Sequence, residues 1–369
     1  MSDQTAPSAA PSHSYPCGGC GARVEYAAGT EVLRCPYCGY ERRLADSDRE
    51  VREHSWTELA SMPRKAVASV GAYTFVCQKC GAQTESDALS DRCQFCGAPL
   101  VVDSAAGDLI APEAVLPFSL DRAGARTALR AWVTSRWFAP SRLKKVTEAE
   151  STKATYLPHW TFDCLTESDY QGQRGEHYWV TETHTTTVNG ETRTETRQVQ
   201  KTRWYPASGT VQRDFDDILI AATHHMREDQ LDKLAPWPLT DAVPYQPDYL
   251  AGYHTLRYDT EPEVGLDTAK QRMAPAIERD CRDDIGGDEQ RVHSVNTHYF
   301  DITYKLILLP VWIAVYLYGG KSFQILINGR TGTVVGQRPY SPLKIAMAAV
   351  TALVAITLVI FLYAHYHRR

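Results

Sequence analysis

The sequence predicts an α+β chain built from two small cysteine modules, an antiparallel β-rich domain with packed helices, and one apolar helix at the C-terminal end. Three observations predict it. Four C-x-x-C pairs lie within the first hundred residues, Thr-, Val- and Tyr-containing runs with turn signals fill the middle, and Ile345 to Tyr363 is apolar and uncharged. At 369 residues the chain exceeds one average domain. Eight Trp and twenty Tyr supply enough large apolar surface for a central core.

The opening residues 1–14 are rich in Ser, Ala, Pro and Gln and lack the apolar run of a secretory signal, so they read as a disordered leader. Residues 15–45 and 71–103 then hold eight of the ten cysteines, as Cys17/Cys20 with Cys35/Cys38 and Cys77/Cys80 with Cys93/Cys96. Fourteen residues separate the first two pairs and twelve the second two, the spacing of four-thiolate zinc sites. The chemistry of the turns agrees, because Gly21, Gly39, Gly81 and Gly97 each follow the second cysteine of a pair. A zinc knuckle turns its backbone so that amides face sulfur, and glycine accepts the positive φ of such a turn. Disulfides and redox-active pairs are the competing readings. Two zinc ribbons binding two zinc ions fit best where no export signal is present. Four thiolates close the coordination shell, so the sites are structural rather than catalytic.

Neither ribbon is basic. Arg23, Arg34, Arg42 and Arg43 face Glu25, Glu31 and Glu41 in the first, and Lys79 and Arg92 face Glu85, Asp87 and Asp91 in the second. With a net charge of −5, this balance argues against nucleic acid as the main partner. Residues 46–70 mix both signs of charge and read as a linker or a solvated helix.

The α+β domain is expected over residues 104–340. Ser119 is positioned to cap a helix carrying Ala125, Leu129, Trp132, Val133 and Trp137 on one face, with Pro140 as its stop. Tyr178 to Thr187 and Glu191 to Trp204 form a hairpin about Asn189-Gly190, a type I′ signal, and its polar faces suit solvent or a partner. A second helix is expected at Asp214 to Leu234, from Phe215, Ile218, Leu219, Ala222 and Met226. Leu266, Ala269, Met273, Ala276, Ile277 and Cys281 follow a third helical face, which makes Cys281 a core residue; Cys164 is likewise expected to be buried. Strands are expected at Tyr249 to Tyr258, Val292 to Tyr304, Leu306 to Tyr318 and Ser322 to Val335. Leu306 to Tyr318 is too short to span a bilayer and contains Pro310, so it reads as a buried strand. Leu157-Pro158-His159-Trp160 is echoed by Leu309-Pro310-Val311-Trp312.

Residues 341–369 form the last segment. Ile345 to Tyr363 as a helix reaches roughly 28 Å, about the thickness of a bilayer core. Its flanks carry Arg338, Lys344, Arg368 and Arg369, which favour a single-pass span over a buried core helix. The terminal span is expected to hold the chain in the cell membrane, and the reduced zinc thiolates to keep its N-terminal domains in the cytoplasm.

No enzyme is indicated. Gly319-Gly320-Lys321-Ser322 lacks the earlier glycine of a phosphate-binding loop, and Asp288-Glu289-Gln290-Arg291 has no such loop before it.

The two ribbons, Leu157-Pro158-His159-Trp160-Thr161-Phe162-Asp163, Tyr170-Gln171-Gly172-Gln173-Arg174-Gly175, Arg203-Trp204-Tyr205-Pro206-Ala207-Ser208-Gly209, Ile285-Gly286-Gly287-Asp288-Glu289-Gln290-Arg291 and Asn328-Gly329-Arg330-Thr331-Gly332 together resemble a bacterial family of membrane-anchored zinc-ribbon proteins. Members are often labelled primosomal protein N′, replication-restart helicase or TFIIB-type zinc-ribbon protein, and this chain lacks a helicase motor. The resemblance implies a partnership with flotillin-like SPFH proteins or phage-shock-type envelope-stress systems, and it carries over the eight cysteines as zinc ligands. Two functions follow as expectations: a membrane-tethered adaptor that recruits cytosolic proteins, and a membrane-associated nucleic-acid-binding protein linked to replication.

Overall fold

The computed structural model describes residues 12–45, 47–59, 61, 73–76, 83–86, 88–92, 99–102, 109–135, 152–188, 191–318, 321–336 and 342–367. These residues form a mixed α+β fold dominated by one sheet of twelve strands, with separate smaller sheets of three and two.

Three strands of unusual length make the spine. Thr152–Val188 runs for 37 residues, pairs antiparallel with Glu191–Ala221 on one side, and with Glu289–Tyr318 on the other. At ~3.3 Å per residue the first strand is roughly 120 Å long. The third strand begins opposite Gly175, so from Glu176 to Val188 only two strands continue toward the turn. The hairpin expected from the Thr-rich runs is therefore the free end of a much longer ladder. Asn189 and Gly190 lie outside the described residues, with Val188 paired to Glu191 across them. Tyr318 pairs with Lys321 in the same way, at the opposite end of the sheet.

The two Leu-Pro motifs meet at the centre, where Leu157 pairs directly with Leu309, Pro158 with Leu308, and Tyr156 with Pro310. The Asn-Gly pairs are not equivalent. Asn189-Gly190 falls between the first two long strands, whereas Asn328-Gly329 follows Lys321–Asn328 and leads to Val334–Gly336.

The segment expected as a helix at Asp214 to Leu234 is not one helix: the second long strand occupies it as far as Ala221, and within it only Glu228–Asp232 is helical. A bulge explains the misleading periodicity. Asp217 takes φ 51°, and the register shifts between Phe162 and Cys164 on the facing strand. One extra residue inverts the alternation, so Phe215 and Ile220 are both buried although they are an odd number apart. That spacing imitates a helical face. Val292 to Tyr304 and Leu306 to Tyr318 likewise belong to one strand, and the buried character expected of Leu306–Leu309 and Val311 holds. Across the wider expected runs, strands cover His254–Leu256 in the first, and Lys321–Asn328 and Val334–Gly336 in the last.

Helix Pro262–Ile285 lies on the sheet face presented by Trp160, Phe162, Cys164 and Tyr170. Leu266, Ala269, Met273, Ile277 and Cys281 point into that core, as their spacing requires, and Ala276 packs at its margin. Gly265 lets the helix lie close to the sheet, since a Cβ there would stand 3.0 Å from Trp160. Helix Arg122–Thr134 covers the other part of the same face with Ala125, Leu129 and Val133. Its cap is Asp121, whose Oδ1 accepts from the Gly124 amide at 2.7 Å. Ser119, expected as the cap, instead hydrogen-bonds to the carbonyl of Arg330. Trp137 and Pro140 lie outside the described residues.

Residues 1–11 of the expected leader also lie outside them, but Ser12–Ser14 form an edge strand on Pro99–Val102. The described part of the expected linker, residues 47–59, is a strap rather than a spacer. His54–Ser55 pairs with Thr303 and Tyr304, and Trp56 packs edge-on to Phe162 and Tyr304. These apolar side chains hold it to the sheet.

Helix Pro342–Tyr366 ends the described chain. Its window Ala346–Tyr363 has a mean hydropathy of 2.4, enough in length and composition to cross a membrane, and is 0 % buried.

Candidate metal centre

The first cysteine module folds on short strands. Glu25–Tyr26, Val32–Arg34 and Glu41–Arg43 make a three-stranded antiparallel sheet, and the two C-x-x-C turns flank it. In the first turn the Gly21 amide donates to the Cys17 carbonyl at 2.9 Å; in the second the Gly39 amide donates to the Cys35 carbonyl at 3.0 Å. Both glycines have positive φ, 66° and 75°, the conformation the turn requires after the second cysteine. The Gly19 amide also points at Cys17 Sγ, 3.3 Å away.

These turns bring Cys17, Cys20, Cys35 and Cys38 together, their sulfurs all within 4.8 Å of one another. Cys17 and Cys38 sulfurs are 3.5 Å apart, and those of Cys20 and Cys35 are 3.7 Å apart. A disulfide would need about 2.05 Å, so the four are thiols. Sulfurs placed about 2.3 Å from a tetrahedral centre stand roughly 3.8 Å apart, so the cluster has the dimensions of a four-thiolate metal site.

Electrostatics point the same way. Burial works against the Cys35 thiolate, but the amides of Cys38 and Tyr37 outweigh it and bring Cys35 down to about 6. Cys38 accepts from the Tyr40 amide, yet the neighbouring thiols of Cys17 and Cys20 push it up to about 12. One thiolate forms readily and the next is opposed. A bound cation removes that opposition by compensating the accumulated negative charge.

The module is not an isolated bead. Cys17 and Cys35 are buried while Cys20 and Cys38 are exposed, and Tyr15, Val24, Tyr26 and Leu33 share one core with Phe118, Tyr156 and Trp312 of the sheet. Tyr26 also packs edge-on against Tyr249 at 5.1 Å. The candidate ligands thus stand on a wall of the main core.

Cys77, Cys80, Cys93 and Cys96, the expected second site, lie outside the described residues, as do Gly81 and Gly97. Their flanking strands are present. Tyr73–Val76 pairs with Gln83–Ser86, and Ala88–Arg92 pairs with Pro99–Val102 and joins the main sheet through His254–Leu256. Cys164 and Cys281 are buried away from any such cluster, Cys164 Sγ lying 3.7 Å from the sulfur of Met273.

A second polar cluster was not foreseen. Glu53, Asp163 and Asp217 converge where bulges cross all three long strands, and Asp301 also takes a positive φ there, 50°. The cluster holds its own cation, because Lys305 Nζ is 2.7 Å from Glu53 and 2.7 Å from Asp217. Nearby, the buried Glu113 accepts from Arg49 and from the Arg52 amide at 3.1 Å. Both clusters fasten the strap to the sheet. The available signal was weak: aspartates inside strands, which disfavour them and mark bulges.

Over 339 residues, covering 90% of this chain and 92% of the other, the protein is 27% identical to a Bacillus subtilis (strain 168) protein described as "Uncharacterized protein YdjG". No family model matches the sequence, and no solved structure matches it.

Proposed function

We propose that the protein is a membrane-tethered zinc-ribbon adaptor, in which the C-terminal helix sits in the bilayer and the sheet and cysteine modules face the cytosol to recruit proteins. The observation that carries this reading is the contrast in burial. Exposed large apolar side chains are scattered singly over the sheet and its helices, whereas on the terminal helix Leu353, Val359, Phe361 and their neighbours are exposed as one continuous run. Apolar surface on this scale is stable in lipid rather than water. Zinc at Cys17, Cys20, Cys35 and Cys38 stabilises the wall on which the docking surface is built, and a second zinc is assigned to Cys77, Cys80, Cys93 and Cys96. The long ladder supplies reach, carrying a two-stranded tip with exposed Trp179 far from the central core. Among partners, the resemblance favours SPFH- or phage-shock-type assemblies.

The test is affinity purification of the intact protein from native membranes, with and without a zinc chelator. A stoichiometric cytosolic protein that disappears on chelation is the expected result. Submicromolar, steeply salt-dependent binding of DNA or RNA would replace the adaptor reading with the nucleic-acid one.

A further inference from the structure

A cleft of about 840 Å³ lies where the first cysteine module, the start of helix Arg122–Thr134 and the end of the long ladder meet. Its walls carry Arg23, Arg34, Arg92, Arg122 and Lys153, in a protein whose net charge is −5. The local balance of each cysteine module conceals this concentration, because the cations come from distant stretches of sequence. Three carboxylates share the walls, and each is engaged. Glu25 lies 2.7 Å from Arg23 and 3.0 Å from Arg92; Asp121 caps its helix; Asp91 accepts from the Arg92 amide at 2.8 Å. Arg122 and Lys153 form no ion pair among the described residues, which leaves two cations for an incoming anion.

The position of the cleft suggests where an incoming anion comes from. Across the ladder Thr152 pairs with Ala314, Ala314 with Ile325, and Ile325 with Gly336. The apolar helix starts at Pro342, so the chain length from Gly336 limits their separation to roughly 20 Å. The cleft therefore lies at the anchored end of the sheet, with Trp312 in its wall.

We propose that this cleft binds a phosphate group and that its natural source is the headgroup of an anionic phospholipid. Arg122 and Lys153 supply two cations to the phosphate oxygens. Only the lipid source rests on the membrane reading; phosphate binding does not.

The test uses the full-length protein in a neutral detergent, titrated calorimetrically with dihexanoyl phosphatidylglycerol, dihexanoyl phosphatidylcholine and glycerol 3-phosphate. Phosphatidylglycerol should bind at one site, more tightly than the choline lipid, whose headgroup carries a cancelling charge. The combined Arg122→Ala and Lys153→Ala variant should weaken it by about ten-fold or more. Arg122→Ala and Lys153→Ala taken singly should each weaken it several-fold. Arg282→Ala, on a distant helix, should change nothing. Tighter binding of phosphatidylglycerol than of glycerol 3-phosphate supports the lipid source, and equal binding of the two overturns that source while upholding the phosphate site. Equal binding of the glycerol and choline lipids, or phosphatidylglycerol binding that none of the cleft variants alters, overturns the site. Flotation with neutral phosphatidylcholine vesicles tests the anchor separately: a chain that fails to float yet binds short-chain phosphatidylglycerol contradicts the membrane reading and leaves the cleft intact.

Discussion

Lys305 shows how much of the architecture depends on single side chains. Its ammonium is buried between Glu53 and Asp217, joining the strap to two of the long strands. Lys305→Met would leave carboxylates facing one another without their cation, and a loss of about 3 kcal/mol is expected in urea denaturation at neutral pH. The same cluster predicts a pH dependence. Burial, and then the carboxyl of Glu53, push Asp163 up to about 7, whereas a hydrogen bond from Asp163 and the contact with Lys305 hold Glu53 at about 2. Asp163 binds its proton more tightly in the folded chain, so its contribution to stability falls as pH rises from its ordinary value of 3.8 toward 7. Glu53 has the opposite sign: its contribution is present above 4.5 and is lost as pH falls toward 2. Asparagine imitates the protonated Asp163, so Asp163→Asn should flatten the decline between pH 4 and 7 and leave the acid limb in place. Equal slopes for both proteins in that range would refute the assignment. The cysteine cluster was legible in the sequence because its spacing is a local signature. This one was not, since register alone brings positions 53, 163, 217 and 305 together.

At the scale of elements, alternation and helical spacing were readable only where the strands run without interruption. The helix at Pro262–Ile285 could be found from its apolar stripe, and the hairpin from its Asn-Gly turn. The bulge at Asp217 made a strand resemble a helix, and further register shifts interrupt the pairing of the first and third long strands. Close approach matters at one of them. A Cβ on Gly172 would come within 2.3 Å of the Arg291 carbonyl, at the register shift between Gln171 and Gly172. Gly172→Ala should therefore cost about 2 kcal/mol through displacement of the third strand, measured by thermal unfolding. Ala276→Gly on the helix opposite should cost only about 1 kcal/mol, a backbone-entropy effect with no strand displacement.

The whole molecule joins a wall carrying four clustered cysteines, a long ladder and an apolar terminal helix. Because Cys17 and Cys35 sit in the same core as Phe118 and Trp312, loss of the metal should loosen the sheet as well as the module. Stripping the metal with a chelator should lower the thermal midpoint of the whole protein in one cooperative transition. Fully independent melting of the module would contradict a shared core. The long apolar terminal helix was readable from composition alone, whereas the docking of the first module on the sheet was not, because its contacts span hundreds of residues.

The most direct test is to compare the full chain with one lacking Lys344 to Arg369, measuring membrane retention after a high-salt wash together with zinc content. The account predicts that the full chain stays with the membrane, the shortened chain is soluble and folded, and both hold close to two zinc ions. A shortened chain that remains with the membrane, or a protein isolated under thiol-blocking conditions with its N-terminal cysteines in disulfides and no zinc, would contradict it.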